Sequence, residues 1–354
     1  MKVALVADVH YQKYADEDFR LHDIDGVIDQ VCEYCKNNNV SEINLLGDFW
    51  SNRKAIDVSV LRHGHKSFER IVKSFEHVVI FPGNHDYYYK SNSNISSIDH
   101  FNCFGAELID KPRVMVQGNT AMYFFPFIHS SEKLLMCLER TKESHKDKKK
   151  IFFMHQCVIG CVADSGFKIT TGIDPQKILS YCDIVFSGDI HTHQILRSNN
   201  KEFVYVGALL QQTFNDEGKA FGFIILDTDA LSWKRIKTEH RKFVTIGYHE
   251  VDEQKDALKD NIVKIVFNGN EMWTKEAVRA TLSDIQEKYK PARISHVLTE
   301  KEKAEHEPIA AQKFTMKDLV KEWIKRTKPE GLSVKVLGDT FGKVKERVNE
   351  ASKS

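Results

Sequence analysis

Short runs of apolar residues punctuate the first part of the chain: VALVA at 3–7, INLL at 43–46, HVVIF at 77–81, IFFM at 151–154 and DIVF at 183–186. Each has the length of a strand buried on both faces. Between the first three, residues 17–38 and 56–76 repeat apolar side chains at helical spacing. Strands alternating with helices predict a largely parallel, layered α/β sheet. FVYVG at 203–207 and FGFIILD at 221–227 have no helix between them and read as antiparallel additions.

The texture changes after WKRIKTEHRKF at 233–243. VKIVF at 263–267, a helical segment from Thr274 to Lys288 and ARISHVL at 292–298 form a small βαβ-like unit, which divides the chain into domains at 1–243 and 244–300. A third segment, 301–354, starts with the polar linker KEKAEHEP. Within it, residues 315–327 place Met316, Leu319, Val320, Trp323 and Ile324 on one helical face, behind Thr315 and Asp318 spaced as a variant capping box. A helix this short is marginal alone, so it should dock on its own body or on a partner. The charged stretch TKESHKDKKK at 141–150 reads as a solvated loop.

Composition narrows the class. With 354 residues, 42% hydrophobic and 29% charged, the chain can fill one large domain and a smaller one and does not resemble a disordered polymer. No run approaches bilayer length, and Asp8 interrupts the first apolar segment too early for a signal peptide, so a cytoplasmic location is expected. Seven scattered cysteines form no disulfide framework. Cys32 and Cys35 imitate a CxxC motif, but they continue the helical pattern of positions 24, 27, 28 and 31 and have no second CxxC to complete a zinc site. A net charge of +1 neither favours nor excludes a polyanionic partner.

The chemistry lies where the apolar runs stop. VALVA leads into Asp8 and His10, INLL into Asp48, HVVIF into Asn84, His85 and Asp86, IFFM into His155, and DIVF into Asp189 and His191. Any one of these is an ordinary turn or a core histidine. Together they put metal-capable side chains at one edge of a sheet, the edge where α/β proteins bind ligands. In an extended chain Asp8 and His10, or Asp189 and His191, share a face. Glycine before Asp48, Asn84 and Asp189 suggests tight turns. Oxygen and imidazole donors without thiolate suit manganese, iron, zinc or magnesium.

The motifs DVH, GDFW, GNHD, a strand-end histidine and GDIH resemble the calcineurin-like metallophosphoesterase superfamily. That resemblance implies a β-sandwich flanked by helices, in four α/β/β/α layers, holding two divalent metal ions. Asp8, His10 and His191 would take one ion, Asn84, His155 and Asp189 the other, and Asp48 would bridge. His85 would stay free to act on the phosphoryl group, oriented by a carboxylate, with Asp86 the nearest in sequence. GDFWSNRKAI at 47–56, GNHDYYYK at 83–90 and the spacing from YVG at 205–207 to FGFIILD are similar to the SbcD-type DNA repair nuclease subunit, especially its bacteriophage recombination endonuclease form. This implies a DNA exonuclease and endonuclease, homodimeric, in the host cytoplasm if phage-encoded. The 244–300 unit would cap the DNA and residues 315–327 would grip the coiled coil of an SbcC-type ATPase. A nucleotide phosphodiesterase or small-molecule phosphatase of the same fold is the alternative.

The chain departs from the family pattern in two places. Asp189 stands where the usual GH-x-H motif has histidine, which leaves His191 with His193 as another register and predicts manganese or magnesium over zinc. Ser51 replaces a histidine common three residues after the bridging aspartate, with Arg53 a candidate substitute. GDFWSNR also lacks the Asp-Arg-Gly of the superfamily's protein phosphatases.

Overall fold

The computed structural model describes residues 1–15, 17–89, 95–269 and 273–299. The expected linker and helix within 301–354 lie outside them. In chain order come β1 (Lys2–Val6), α1 (Phe19–Asn37), β2 (Glu42–Leu45), α2 (Val58–Ser74), β3 (His77–Ile80), β4 (Glu107–Leu108), β5 (Arg113–Gln117), β6 (Thr120–Phe125), α3 (Ser131–Thr141) and β7 (Lys149–His155). Then follow α4 (Pro175–Leu179), β8 (Ile184–Gly188), β9 (Gln194–Ser198), β10 (Lys201–Tyr205), β11 (Gly222–Asp227), β12 (Ser232–Lys237), β13 (Phe243–Gly247), α5 (Lys255–Leu258), β14 (Ile262–Phe267), α6 (Lys275–Tyr289) and β15 (Arg293–Leu298).

Two mixed six-stranded sheets carry the fold, in the orders β12-β11-β1-β2-β3-β4 and β5-β6-β7-β8-β10-β9. β1 to β4 run parallel, as do β6, β7, β8 and β10. Strand alternation decides what each face buries. Val3 and Leu5 point inward and meet Phe153, Phe186 and Val204 of the other sheet. Ala4 and Val6 point outward into a second core with Leu21, Ile24, Val27 and Ile28 of α1 and Phe68 and Ile71 of α2. Phe152 and Met154 do the same for α3 and α4. The result is four layers, helix, sheet, sheet, helix, with the C-terminal ends of β1, β2, β3, β7 and β8 converging on one rim.

α1 buries Leu21, Ile24, Ile28, Val31 and Cys35 on one stripe, so Cys35 is a core residue and Cys32 its half-buried neighbour. α2 starts where Asp57 accepts the Ser59 N–H at 2.8 Å. β13, β14 and β15 form a parallel three-stranded sheet with a core of its own around Ile246, Ile265, Phe267 and Ile285. No helix among the described residues is long and apolar enough to cross a membrane.

The charged stretch at 141–150 is a largely solvated loop over 142–148, as expected, and joins α3 at Thr141 and β7 at Lys149. Within β7 the buried Lys150 ammonium donates to the Thr141 carbonyl at 2.7 Å. A long aliphatic stem with one good acceptor tolerates this position. The strands β5 and β6 lie outside the expected set; β5, RVMVQ, is a largely exposed edge strand whose apolar run is only three residues long.

Candidate metal centre

The loops leaving β1 and β2 run side by side. The N–H groups of Asp8, His10 and Tyr11 donate to the carbonyls of Gly47, Asp48 and Phe49 at 3.2, 3.0 and 2.9 Å. The backbone here is not extended, contrary to the expectation from residue spacing. Asp8, His10, Asp48 and Asp189 have φ of 52°, 49°, 53° and 83°, in the left-handed region. Each such residue costs about 1–2 kcal/mol against an ordinary conformation, a load that clusters at functional sites. The glycines also act differently than expected. Gly47 does turn at φ 86°, but Gly83 and Gly188 are there for room. A Cβ on Gly83 would lie 2.2 Å from Asp48 Oδ1, and one on Gly188 would lie 2.6 Å from His155 Nδ1.

The rim gathers the predicted side chains into overlapping groups: Asp8, His10 and His191; Asp8, Asp48 and His155; and His10, Asp48 and His85. Within each, the ligand atoms lie within 4.8 Å of one another. Asp48 Oδ2 stands 3.5 Å from His10 Nε2 and 3.4 Å from His155 Nε2. His155 Nε2 is also 3.8 Å from Asp189 Oδ1, and His191 Nε2 is 3.0 Å from His10 Nε2. His155 is fixed from behind, because its Nδ1–H donates to the Leu46 carbonyl at 2.7 Å and turns Nε2 toward the carboxylates.

The donor set fits divalent ions. Four buried atoms of the expected ligands, Asp8 Oδ2, His10 Nδ1, Asn84 Oδ1 and His155 Nε2, have no hydrogen-bond partner among the described residues. Buried polar atoms are rarely left this way, and cations would supply the missing partner. The electrostatics agree. Burial pushes the Asp8 acid up to about 7 and raises Asp189 as well. Burial would raise Asp48 too, but the imidazoles of His155, His10 and His85 outweigh it and hold the acid below its ordinary value. His155 is displaced the opposite way: Asp48 raises it well above the usual imidazole range against its burial. Several carboxylates packed out of water call for positive charge.

Of the residues expected to act on substrate, His85 sits at the cluster. Its ring is edge-on to His10 at 5.0 Å, its N–H donates to Asp48 Oδ1 at 2.7 Å, and its Nδ1–H donates to the Ser51 carbonyl at 2.7 Å. Asp86 is not the group that orients it. The Asp86 carboxylate is fully buried and accepts four backbone N–H groups, from Asp48 at 2.8 Å, Gly83 at 2.9 Å, Phe49 at 3.1 Å and Trp50 at 3.2 Å. It clamps the loop after β2 to the loop after β3. Ser51 contributes its backbone carbonyl to His85 while its hydroxyl donates to Gln12 at 2.9 Å. Arg53 makes no hydrogen bond or ion pair among the described residues.

The two registers of the last motif separate. Asp189 lies in the cluster, whereas His193 turns away, its Nδ1–H donating to the Tyr205 carbonyl at 2.6 Å and its ring meeting Trp233. Sequence reasoning misses Asp164. One of its oxygens accepts the His191 N–H at 3.2 Å and the other stands 3.2 Å from His191 Nδ1, so it orients that imidazole. The only signal in the chain is its place, between two strand-end ligands in the loop after β7.

One family of known proteins matches most of the chain. Residues 1–231 match a family described as the calcineurin-like phosphoesterase superfamily domain. No curated protein matches the chain. Among solved structures it is similar to an archaeal phosphodiesterase, with 13% identity, TM-score 0.37 and coverage of 67% of this chain and 100% of that one. It is also similar to a phosphopantetheinyl hydrolase from Mycobacterium tuberculosis, at 10%, 0.39, 58% and 89%. A dimetal phosphatase from Danio rerio gives 12%, 0.39, 63% and 91%. The family match spans well over half of the 354 residues, and the chain therefore belongs to the calcineurin-like phosphoesterase superfamily, as a metal-dependent phosphoesterase.

Proposed function

We propose that this chain is a two-metal phosphodiesterase and that its substrate is a DNA strand, cut as by the SbcD-type nuclease subunits its motifs resemble. One observation carries the two-metal part: Asp48 Oδ2 lies between His10 Nε2 and His155 Nε2, at 3.5 and 3.4 Å, where a carboxylate can serve two ions at once. Asp8, His10 and His191 would hold one ion, and Asn84, His155 and Asp189 the other. When bound, such a pair lowers the pKa of water and neutralises charge on the phosphate oxygens. Four oxygen donors among seven favour manganese or magnesium over zinc.

The protein's own part is positioning and proton supply. A carbonyl only accepts, so the Ser51 contact places the His85 proton on Nδ1 and leaves Nε2 to face the substrate. Protonated at Nε2, His85 donates to the leaving oxygen; neutral, it takes the proton back from water. The clamp at Asp86 and the Leu46 contact of His155 hold the rim while this happens.

The substrate reading draws on GDFWSNR, which lacks the Asp-Arg-Gly of the protein phosphatases, and on the α/β unit of β13 to β15 beside the loop that follows His10. Arg293 of that unit pairs with Glu17, and Phe243 stacks edge-on against Tyr14 at 5.2 Å. A nucleotide phosphodiesterase or small-ester phosphatase is the second reading; the near-neutral net charge withholds the basic signature that DNA-binding proteins often show. The partner reading goes with the DNA nuclease: a homodimer, bound through residues 315–327 to an SbcC-type ATPase.

The test compares three substrates with manganese: linear duplex DNA, bis-p-nitrophenyl phosphate and p-nitrophenyl phosphate. Nucleotide release together with diester cleavage, both removed by His85→Ala while the metals stay bound, is expected. Turnover of small esters without release from DNA would move the assignment to the second reading. Truncation after residue 310 should abolish co-purification with the ATPase and spare basal cleavage.

A further inference from the structure

We infer that a third cation site, separate from the strand-end cluster, lies between α1 and α2 and takes one transition-metal ion of borderline softness, such as zinc, cobalt or nickel. His22, Asp25 and His63 each offer one ligand atom there, all within 4.8 Å of one another. His22 and Asp25 are three residues apart on α1 and so share a face. His63 comes from α2, which packs against α1 across a common apolar core.

The carboxylate is held ready for a ligand role. Asp25 Oδ1 accepts the Tyr11 hydroxyl at 2.9 Å and the Ser67 hydroxyl at 2.7 Å, with Arg70 Nη2 3.5 Å away. These contacts leave Oδ2 as the oxygen turned to the imidazoles, 2.7 Å from His63 Nδ1. Fixing a ligand from behind is what built metal sites do with their outer contacts. The His22 ring stands edge-on to His63, with centroids 4.9 Å apart and planes at 87°. Its imidazole makes no hydrogen bond among the described residues, so both ring nitrogens are available.

Two imidazoles and one carboxylate select borderline ions over magnesium or calcium, unlike the oxygen-rich rim. Partial exposure of His22 leaves water to complete the coordination. On binding, the ion takes the place of the hydrogen between His63 Nδ1 and Asp25 Oδ2, and the neutral imidazole carries its one proton on Nε2 instead. The bound ion cross-links two helices. Through the Tyr11 hydroxyl it also braces the segment after His10, whose next N–H is bonded to the Phe49 carbonyl at 2.9 Å. It stabilises the frame of the rim and takes no part in hydrolysis.

The full chain, crystallised with zinc and measured at the zinc absorption edge, should show an anomalous peak between His22 and His63 besides those at the rim. Zinc should bind with a stoichiometry of three and raise the unfolding midpoint. His22→Ala, at an exposed position that folding does not depend on, should lower the stoichiometry to two and shrink the zinc-dependent rise. Its manganese-supported hydrolysis should match that of the wild type. A stoichiometry of two in the wild type, no peak at this place, or three ions retained in His22→Ala overturns the assignment.

Discussion

Asp86→Asn separates two roles for a residue that the sequence places beside His85 and the structure places behind it. The substitution is isosteric, but the amide nitrogen replaces one carboxylate oxygen. Each oxygen of Asp86 now accepts two backbone N–H groups, Oδ1 from Phe49 and Trp50, Oδ2 from Asp48 and Gly83. An amide can serve only one pair. Two buried donors are left unmatched at about 1–3 kcal/mol each, so the variant should lose about 2–6 kcal/mol of stability. That is a large share of the stability of any domain. The same loss frees the loop carrying Asp48 from the loop carrying Asn84, so manganese affinity should fall with it. Urea unfolding followed by circular dichroism, with and without manganese, reads the first effect, and a metal titration reads the second. Excess manganese should restore much of the hydrolysis. An unchanged urea midpoint combined with lost activity that manganese does not restore would show that Asp86 acts on substrate or on His85, and the clamp would be wrong.

Asp164→Asn keeps the acceptor for the His191 N–H but weakens the hold on Nδ1, and should cost about 10–100-fold in metal affinity, read by titration, with little change in melting. Equal affinity in the variant would remove Asp164 from the site. Gly83→Ala and Gly26→Ala should diverge. The first drives a methyl into Asp48 and loses about 1–3 kcal/mol or more, while the second, in α1 with nothing within 4 Å, gains about 0.5–1 kcal/mol. Urea midpoints moving in the same direction would contradict the packing argument. Burial, then the nearby Arg20 charge, lowers His240 to about 4, and its Nε2 accepts the Gln211 N–H at 3.3 Å. The unfolded chain therefore binds more protons than the fold between pH 6.5 and 4. The stabilisation is complete above 6.5 and is lost as pH falls toward 4, by about 3 kcal/mol at most and less for residual exposure. His240→Gln should flatten that limb of the stability profile; an identical acid limb would show that His240 titrates normally in the fold.

Local patterns in the chain were enough to place the framework and its chemistry. Runs such as VALVA and IFFM are buried on both faces, so their alternation and their ends are readable without coordinates, and Asp8, Asp48, His155 and Asp189 follow from those ends. The chain also carried the choice of family, because DVH, GNHD and GDIH are local strings. Which atoms face which depends on the folded chain. His85 is held by the Ser51 carbonyl and not by its neighbour Asp86, because the loops after β2 and β3 meet only when their strands pair in register. Asp164 reaches His191 across 27 residues, a contact no local pattern encodes. Gly83 and Gly188 look like turn formers in sequence, yet in space they make room for Asp48 and His155. A string records which donors exist and on which strand ends they stand. Their orientation depends on left-handed backbone, through-space packing and hydrogen bonds between distant loops, and those exist only once the sheets have closed.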